Sequence, residues 1–443
     1  MTRVIRDCVH GDIELTPEQI RILDTPQMQR LRGIKQLGTA YLVYPTALHT
    51  RFDHCVGTSW LAGRMLDMIA KTFRLHSADR RVISIAALVH DVSHVPFGHT
   101  FEDERRVFER HDLPYRLERA LDRGDLGKTL RRMKLLEPVI SVLTGACQSV
   151  IDFPEQSYGY GREIVSGPIS ADLADYLKRD AWFCGLSQSY DERVFRYLEI
   201  DACGRLVFRV GRETGLREDA LSEIINLLRM RYFLSERVYY HHTKVAAGAM
   251  ISKAVEVCAS QGRISLERLE EMDDWSLLHN LESSDLPLAS KLAKMVRTRS
   301  LYKRSYILYR KARPRGSEAA EEVVSRLADT YHYDSEARNR AELALCRECG
   351  LSEGDLIIYC PSPDMQLKEA NVPIVGGEPG VTTLSEMAGR GAELQVLLEA
   401  HRRLWRFYVF ASPQAVQKMK AVSRACEEFF GFANEYPDSR KGD

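Results

Sequence analysis

The sequence predicts a mainly α-helical fold: a helical bundle over residues 1–290, then a smaller α/β lobe over 291–443. Three observations carry this. "TPEQIRILDTPQMQRLRGIKQLG" has a capping-type start at Thr16, apolar residues at helical spacing and a stop at Gly38. "RRVISIAALVHD" is apolar almost all round, as expected of a helix buried in a bundle. In the tail, "GDLIIYCPS" and "LWRFYVFAS" are short β-prone runs bounded by Gly, Pro and Ser.

Taken in order, Thr25-Pro26 divides the first stretch into two helices, because proline suits a first turn and not a helix interior. "HTRFDHCVGTSWLAGRMLDMIAKTF" places Val56, Trp60, Met65, Ile69 and Phe73 near one helical face. "SGPISADLADYLKRDAWFCGL" starts with a proline near its first turn and continues helically, as does Ala220 to about Ser260. "PQAVQKMKAVSRACEEFFGF" reads as a helix after the last strand. Residues 113–160 carry no readable motif, and "RPRGSEAAEE" reads as a solvated turn.

Lys+Arg and Asp+Glu both number 62, so no global charge draws the chain to DNA or to a membrane, and any anion site must be a local cluster. The start lacks the apolar segment of a secretory leader, and no uncharged apolar run reaches about 18 residues. Ten cysteines without disulfide-framework spacing point to reduced thiols, so a cytoplasmic protein is expected. Cys346 and Cys349 form a CxxC with only Cys360 near, which reads as ordinary thiols and not a zinc site.

The chemistry concentrates in "AALVHDVSHVPFGHT", where three of the 13 histidines, His90, His94 and His99, fall together. A buried helix ending in His90-Asp91 sets an imidazole beside a carboxylate at the edge of a core, which is costly without a partner. A divalent cation accepts a neutral imidazole and an ionised carboxylate together. His54 in "RFDHCVG" and Asp172 in "ISADLADY" complete a two-His, two-Asp set. Such mixed N/O donors suit Fe, Mn, Co or Mg. His94 stands one turn beyond His90 if the helix runs on that far, His99 after the rigid "VPFG" turn, and His111 on a helical face with Phe101 and Phe108. These three suit phosphate binding and proton transfer to a leaving group; the plainer reading of His111, and of His10, is a hydrogen-bonded core histidine.

His54, His90-Asp91 and Asp172 form the H…HD…D pattern of the HD-domain metal-dependent phosphohydrolases. "RVIRDCVHGDIEL", "ILDTPQMQRLRGIKQLG", "YPTALHTRFDHCVGTSWLAG" and "HDVSHVPFGHTFED" closely resemble the deoxynucleoside triphosphate triphosphohydrolases, above all those that join a SAM domain to an HD core. The likeness is dense over residues 3–103, returns at 168–186 and 229–245, and is weak after 260.

The resemblance implies one metal per active site, held by His54, His90, Asp91 and Asp172, and cleavage of a dNTP to deoxynucleoside and tripolyphosphate. Arg51 would contact phosphate, and His94, His99 and His111 would surround the scissile oxygen. Gln36 and Leu37 would face the sugar, and Tyr176, Asp180, Arg231 and Tyr239 would complete the pocket. Val4, Asp24, Gln29 and Arg32 would form a site for an activating nucleotide, GTP or dNTP, in a homo-oligomer, dimer or tetramer. Leu173 stands where the relatives have a phosphate-binding lysine, Tyr240 where they have an amide, and Arg6 where an asparagine contacts nucleotide. The HD core begins almost at Met1, so no SAM domain is expected.

"RTRSLYKRSYILYRKARPR", residues 297–315, holds eight Lys/Arg and three Tyr with no acid. It reads either as solvated charge on an amphipathic element or as a single-stranded nucleic-acid contact in which tyrosines stack on bases. The leading expectation is a dNTP triphosphohydrolase. The alternatives are an HD phosphohydrolase acting on another nucleotide or phosphoester, and a nucleic-acid-binding or regulatory protein with a vestigial pocket.

Overall fold

Thr16 accepts from the backbone N–H of Gln19 while the Gln19 side chain accepts from that of Thr16, a reciprocal cap that starts the helix Pro17–Leu23. Pro26 opens a second short helix, Pro26–Arg30, so the chain breaks at Thr25-Pro26 as the sequence indicates. The computed structural model describes residues 2–145, 155–212, 215–310, 320–365, 371–376, 380–386 and 391–436; much of the expected turn "RPRGSEAAEE" lies outside them.

Thr50 and Asp53 repeat the reciprocal cap on Arg51–Ile69. That helix packs against Asp79–Val89 and Ala171–Phe183, and Val56, Leu88, Leu173 and Leu177 share one apolar core. Asp79–Val89 stops one residue before His90. His94 is therefore not on a continuing helix: it arrives through a turn in which its N–H donates to the Asp91 carbonyl at 3.1 Å. A second core gathers Met250, Leu278 and Leu292 and takes in Val95, Phe97 and Phe101 from the segment after His94.

In the C-terminal lobe, Lys303–Tyr309 and Leu356–Tyr359 flank Arg406–Ala411 in a three-stranded antiparallel sheet. Both expected strands are there, and the expected last helix is divided into Pro413–Val416 and Met419–Phe430. Tyr306, Phe407 and Phe430 form the aromatic centre of this core. Cys346, Cys349 and Cys360 lie buried in it as free thiols.

The chain after residue 290 also returns to the first core. Strand Pro373–Val375 pairs in parallel with Leu206–Arg209, with Phe208 beside Ile374, inside a mixed four-stranded sheet. Gly211 and Gly376 allow this approach, because a Cβ on either would collide with the other's backbone. Val372, Ile374, Leu384 and Leu394 thereby join the core built from the first half of the chain.

A buried ion network ties the two halves further. Arg105 donates to Glu342 at 2.7 Å, Glu256 at 2.6 Å and the Ile358 carbonyl at 2.9 Å. Arg338 reaches Glu256 at 2.6 Å, and Lys253 reaches Glu342 at 2.8 Å. Every carboxylate here has cationic donors, the condition under which buried ion pairs are tolerated.

The basic stretch 297–315 supplies the edge strand of the lobe sheet as far as Tyr309. Tyr302 and Tyr306 are buried, with hydroxyls donating to Gly354 and Phe432 carbonyls at 2.8 and 2.9 Å. Tyr309 lies beneath the Arg406 guanidinium at 4.2 Å. These rings are committed to protein contacts and offer no free stacking platform; residues 311–315 lie outside the described residues.

One carboxyl in the fold is held against its preference. Glu104 is buried beside Lys244, 3.2 Å away, and its Oε2 has no hydrogen-bond partner among the described residues. Burial, only partly offset by Lys244, raises its pKa from 4.5 to about 7. The folded state then binds more protons than the unfolded state between those values, so stability falls as pH rises from 4.5 to about 7. Denaturant unfolding of wild type and Glu104→Gln across this range should diverge by up to about 3 kcal/mol, in favour of the amide at high pH. Parallel curves would contradict the assignment.

Candidate active site

Three helices bring the first cluster together. His54 sits in the first turn of Arg51–Ile69, His90 caps the end of Asp79–Val89, and Asp172 lies in the first turn of Ala171–Phe183 behind the Ser170 cap. Donor atoms of His54, His90 and Asp172 all lie within 4.8 Å of one another. His54 Nε2 stands 2.9 Å from Asp172 Oδ1 and 3.8 Å from Asp91 Oδ2. His90 Nε2 stands 3.4 Å from Asp91 Oδ1 and 3.7 Å from Asp172 Oδ1.

The far side of each ring decides what faces inward. His90 Nδ1–H donates to the Ala87 carbonyl at 2.8 Å, and His54 Nδ1–H to Asp175 at 2.8 Å. Both Nε2 atoms then point into the cluster, and that of His90 is buried without a hydrogen-bond partner among the described residues. Two imidazole lone pairs aimed at two carboxylates form an electrostatic conflict that a divalent cation removes. Without one, burial lowers the His54 pKa, but its bonds to Asp172 and Asp175 outweigh this and raise it to about 9. A proton there does part of what a cation does. The residues fit a metal.

A second cluster adjoins the first. His94 stacks on His111 with ring centroids 3.6 Å apart, and His99 meets both edge-on at 4.9 and 5.0 Å. The segment carrying His111 is irregular and not a helical face; after a wide turn at Thr100–Glu104 it is folded back by Glu102. Glu102 accepts both the backbone N–H and Nδ1–H of His111 at 2.9 Å, and its Oε2 lies 3.3 Å from His99 Nδ1. Burial opposes ionisation of Glu102, yet His111 and His99 hold its carboxyl well below the usual range. His94, buried and near the Arg51 charge, is pushed well below the usual imidazole value.

Asp91 joins the clusters. Its Oδ1 lies 3.2 Å from His94 Nε2, and its Oδ2 accepts from Arg51 at 2.6 Å. Gly98, at φ +60°, leaves space for that guanidinium, since a Cβ would stand 2.8 Å from Arg51 Nη2.

Four of the residues expected around a sugar and phosphates, Tyr176, Asp180, Arg231 and Tyr239, also gather. Arg231 hydrogen-bonds the Tyr176 hydroxyl and lies over the rings of Tyr176 and Tyr239 at 4.9 and 5.4 Å. Asp180 accepts from the Tyr239 hydroxyl at 2.7 Å and pairs with His49 Nε2 at 2.8 Å. Leu37 is buried, and Gln36 has a buried Oε1 without a hydrogen-bond partner among the described residues. Leu173 faces the apolar core.

Near the amino terminus, Val4 is 58% exposed on the strand Arg3–Asp7. Asp24 closes Pro17–Leu23 at its C-terminus. Gln29 accepts from Arg32 at 3.0 Å and donates to the Leu23 carbonyl at 2.8 Å, while Arg32 lies 3.6 Å over the Phe52 ring.

Sequence reading misses Asp175, Glu102 and His49. Asp175 has a signal, standing three residues after Asp172 and therefore on the same side of the helix. Glu102 lies in the wide turn Thr100–Glu104 and His49 in a segment without regular structure, neither with a periodicity to place it.

Residues 51–180 match the HD domain family, and residues 205–440 match the HD associated region. The uncharacterized protein MJ1154 of Methanocaldococcus jannaschii is 28% identical over 425 residues, covering 94% of this chain and 81% of that protein. The deoxynucleoside triphosphate triphosphohydrolase SAMHD1 of Bos taurus is 30% identical over 349 residues, 68% of this chain and 58% of that protein. The chain thus spans less than two thirds of that relative's length. A crystal structure of a hypothetical protein from Aquifex aeolicus shares the fold at TM-score 0.68 and 19% identity, covering 95% of this chain and 100% of that chain.

Ligand linkage gives a direct check. Mn²⁺ at about 100 times its Kd should stabilise the native state by roughly 2.7 kcal/mol. Thermal unfolding should rise with Mn²⁺ for wild type and not for His90→Ala; equal shifts in both would place the ion elsewhere.

Proposed function

Since the chain belongs to the HD-domain metal-dependent phosphohydrolases that carry an HD associated region, we propose that it hydrolyses deoxynucleoside triphosphates to deoxynucleoside and tripolyphosphate. One observation carries the reading: Asp91 links a two-His, two-Asp donor set to a three-histidine cluster and to Arg51. A divalent cation, Mn, Fe, Co or Mg, supplies an activated water and neutralises phosphoryl charge when bound by His54, His90, Asp91 and Asp172. Arg51 offsets charge on the phosphoryl oxygens. His111, its Nδ1–H fixed by Glu102, presents Nε2 and holds the proton for the departing 5′-oxygen. His94 and His99 line the same position.

Arg231 contacts the phosphate tail, and Gln36, Leu37, Tyr176, Tyr239 and Asp180 contact the sugar. Activation by GTP or dNTP at Val4, Asp24, Gln29 and Arg32, in a homo-oligomer, belongs to the same proposal. A second reading, hydrolysis of another nucleotide or phosphoester, draws on Leu173 and Tyr240: a core leucine supplies no phosphate contact, and a bulky phenol borders Tyr239. Among the described residues, no helix is long and apolar enough to cross a membrane.

The test is product analysis. With Mn²⁺ or Mg²⁺ and each dNTP, with and without GTP, anion exchange should find deoxynucleoside and tripolyphosphate. Turnover should fall at least about 100-fold in Glu102→Gln and vanish in Asp91→Ala. Consumption of a different phosphoester alone would favour the second reading.

A further inference from the structure

Four hydrogen bonds converge on the fully buried Asp175 carboxylate. Its Oδ2 accepts Nδ1–H of His54 and Nε–H of Arg179, both at 2.8 Å. Its Oδ1 accepts Nε2–H of His10 at 2.7 Å and Nη2–H of Arg179 at 2.9 Å. His10 comes from the turn that joins strands Arg3–Asp7 and Gly11–Leu15, 165 residues away in sequence.

Asp7 builds that turn. Its Oδ1 accepts the backbone N–H groups of Val9 and His10, both at 2.8 Å. Its Oδ2 accepts Nη1–H of Arg179 at 2.8 Å. One oxygen shapes the backbone that carries His10, and the other holds the guanidinium that grips Asp175. The His10 ring rests on Trp60, with centroids 4.6 Å apart. Gly57 keeps the crossing open, because a Cβ there would strike both Asp175 Oδ1 and Arg179 Nη2.

A buried ionised carboxylate needs its acceptor sites filled, and Arg179 alone supplies two donors and the charge. The remaining two sites take His54 and His10. A carboxylate on the far nitrogen of an imidazole fixes its tautomer and ring plane and raises its basicity, the usual support of a histidine that ligates a metal. We propose that His10 and Asp7 are positioning residues for a metal centre: acting through Asp175 and Arg179, they hold His54 with Nε2 aimed at the cation. The N-terminal hairpin is thereby part of the cation site. The proposal rests on the reading of His54, His90, Asp91 and Asp172 as that site, and it needs no particular substrate.

The experiment measures Mn²⁺ and Co²⁺ affinity of the full chain by chelator competition, with circular dichroism of each metal-free variant. His10→Ala should weaken both ions about 10- to 100-fold with its helical signal retained, and should shift the visible absorption of bound Co²⁺. His10→Gln, which returns one N–H donor to Asp175, should recover most of the affinity. Wild-type affinity in a folded His10→Ala overturns the proposal. If that variant does not fold, Asp7→Asn decides: a several-fold loss supports the proposal, and no change overturns it. Wild-type protein that binds neither ion removes the cation site and the proposal with it, a result distinct from the other two.

Discussion

Buried negative charge governs this molecule. Asp91 and Asp175 are almost wholly removed from water, and Asp172 stands against His54 and His90. Desolvating a carboxylate costs several kcal/mol, so each must be met by a cation or by donors. Asp175 is met inside the protein by Arg179 and two histidines. Asp91 has Arg51. Asp172, its side chain 32% exposed, meets His54 and His90 among the described residues, and their inward nitrogens are the ones a metal would use. The three-helix frame, with its capped first turns at Thr50 and Ser170, sets these carboxylates and imidazoles against one another.

The histidine loop depends on a second set of constraints. From Asp91 to His111 the chain has almost no regular structure, so its backbone must be held from outside. Arg30 donates to the Val92 and His94 carbonyls at 2.9 and 2.8 Å. Asp274 accepts the N–H of Phe97 at 2.7 Å and that of Lys35 at 3.0 Å, and so fixes the histidine loop against the segment carrying Gln36 and Leu37. Phe97 is held at φ +59°, a conformation costing about 1–2 kcal/mol for a residue with a side chain. Beyond it, Arg105 fastens the loop to the C-terminal lobe. The lobe is thus a structural partner of the histidine loop and not an appendage.

Much of this is legible in the amino-acid sequence. A helix apolar all round that ends in His-Asp can only mean burial of polar groups, and that points to His90, Asp91 and their partners His54 and Asp172. Proline at Thr25-Pro26 and the β-prone runs in the tail are informative because each is a strong local signal. What the sequence does not reveal shares one cause. Helical spacing misplaces His94 and His111, because the chain leaves the helix at His90 and is steered by Glu102 and Arg30, contacts that no periodicity encodes. The strand Pro373–Val375 is three residues long, below what an alternation pattern can reveal, and its partner lies far back in the chain. His10 reads as an ordinary core histidine because its role lies entirely in what it touches.

The central claim, hydrolysis of a dNTP to deoxynucleoside and tripolyphosphate, requires water to attack the α-phosphorus and the bond to the 5′-oxygen to break, and is tested most directly by isotope. Hydrolysis of a dNTP in ¹⁸O-labelled water, followed by mass spectrometry of both products, should put one ¹⁸O in tripolyphosphate and none in the deoxynucleoside. Label in the deoxynucleoside, or in a deoxynucleoside monophosphate or pyrophosphate, would contradict the account.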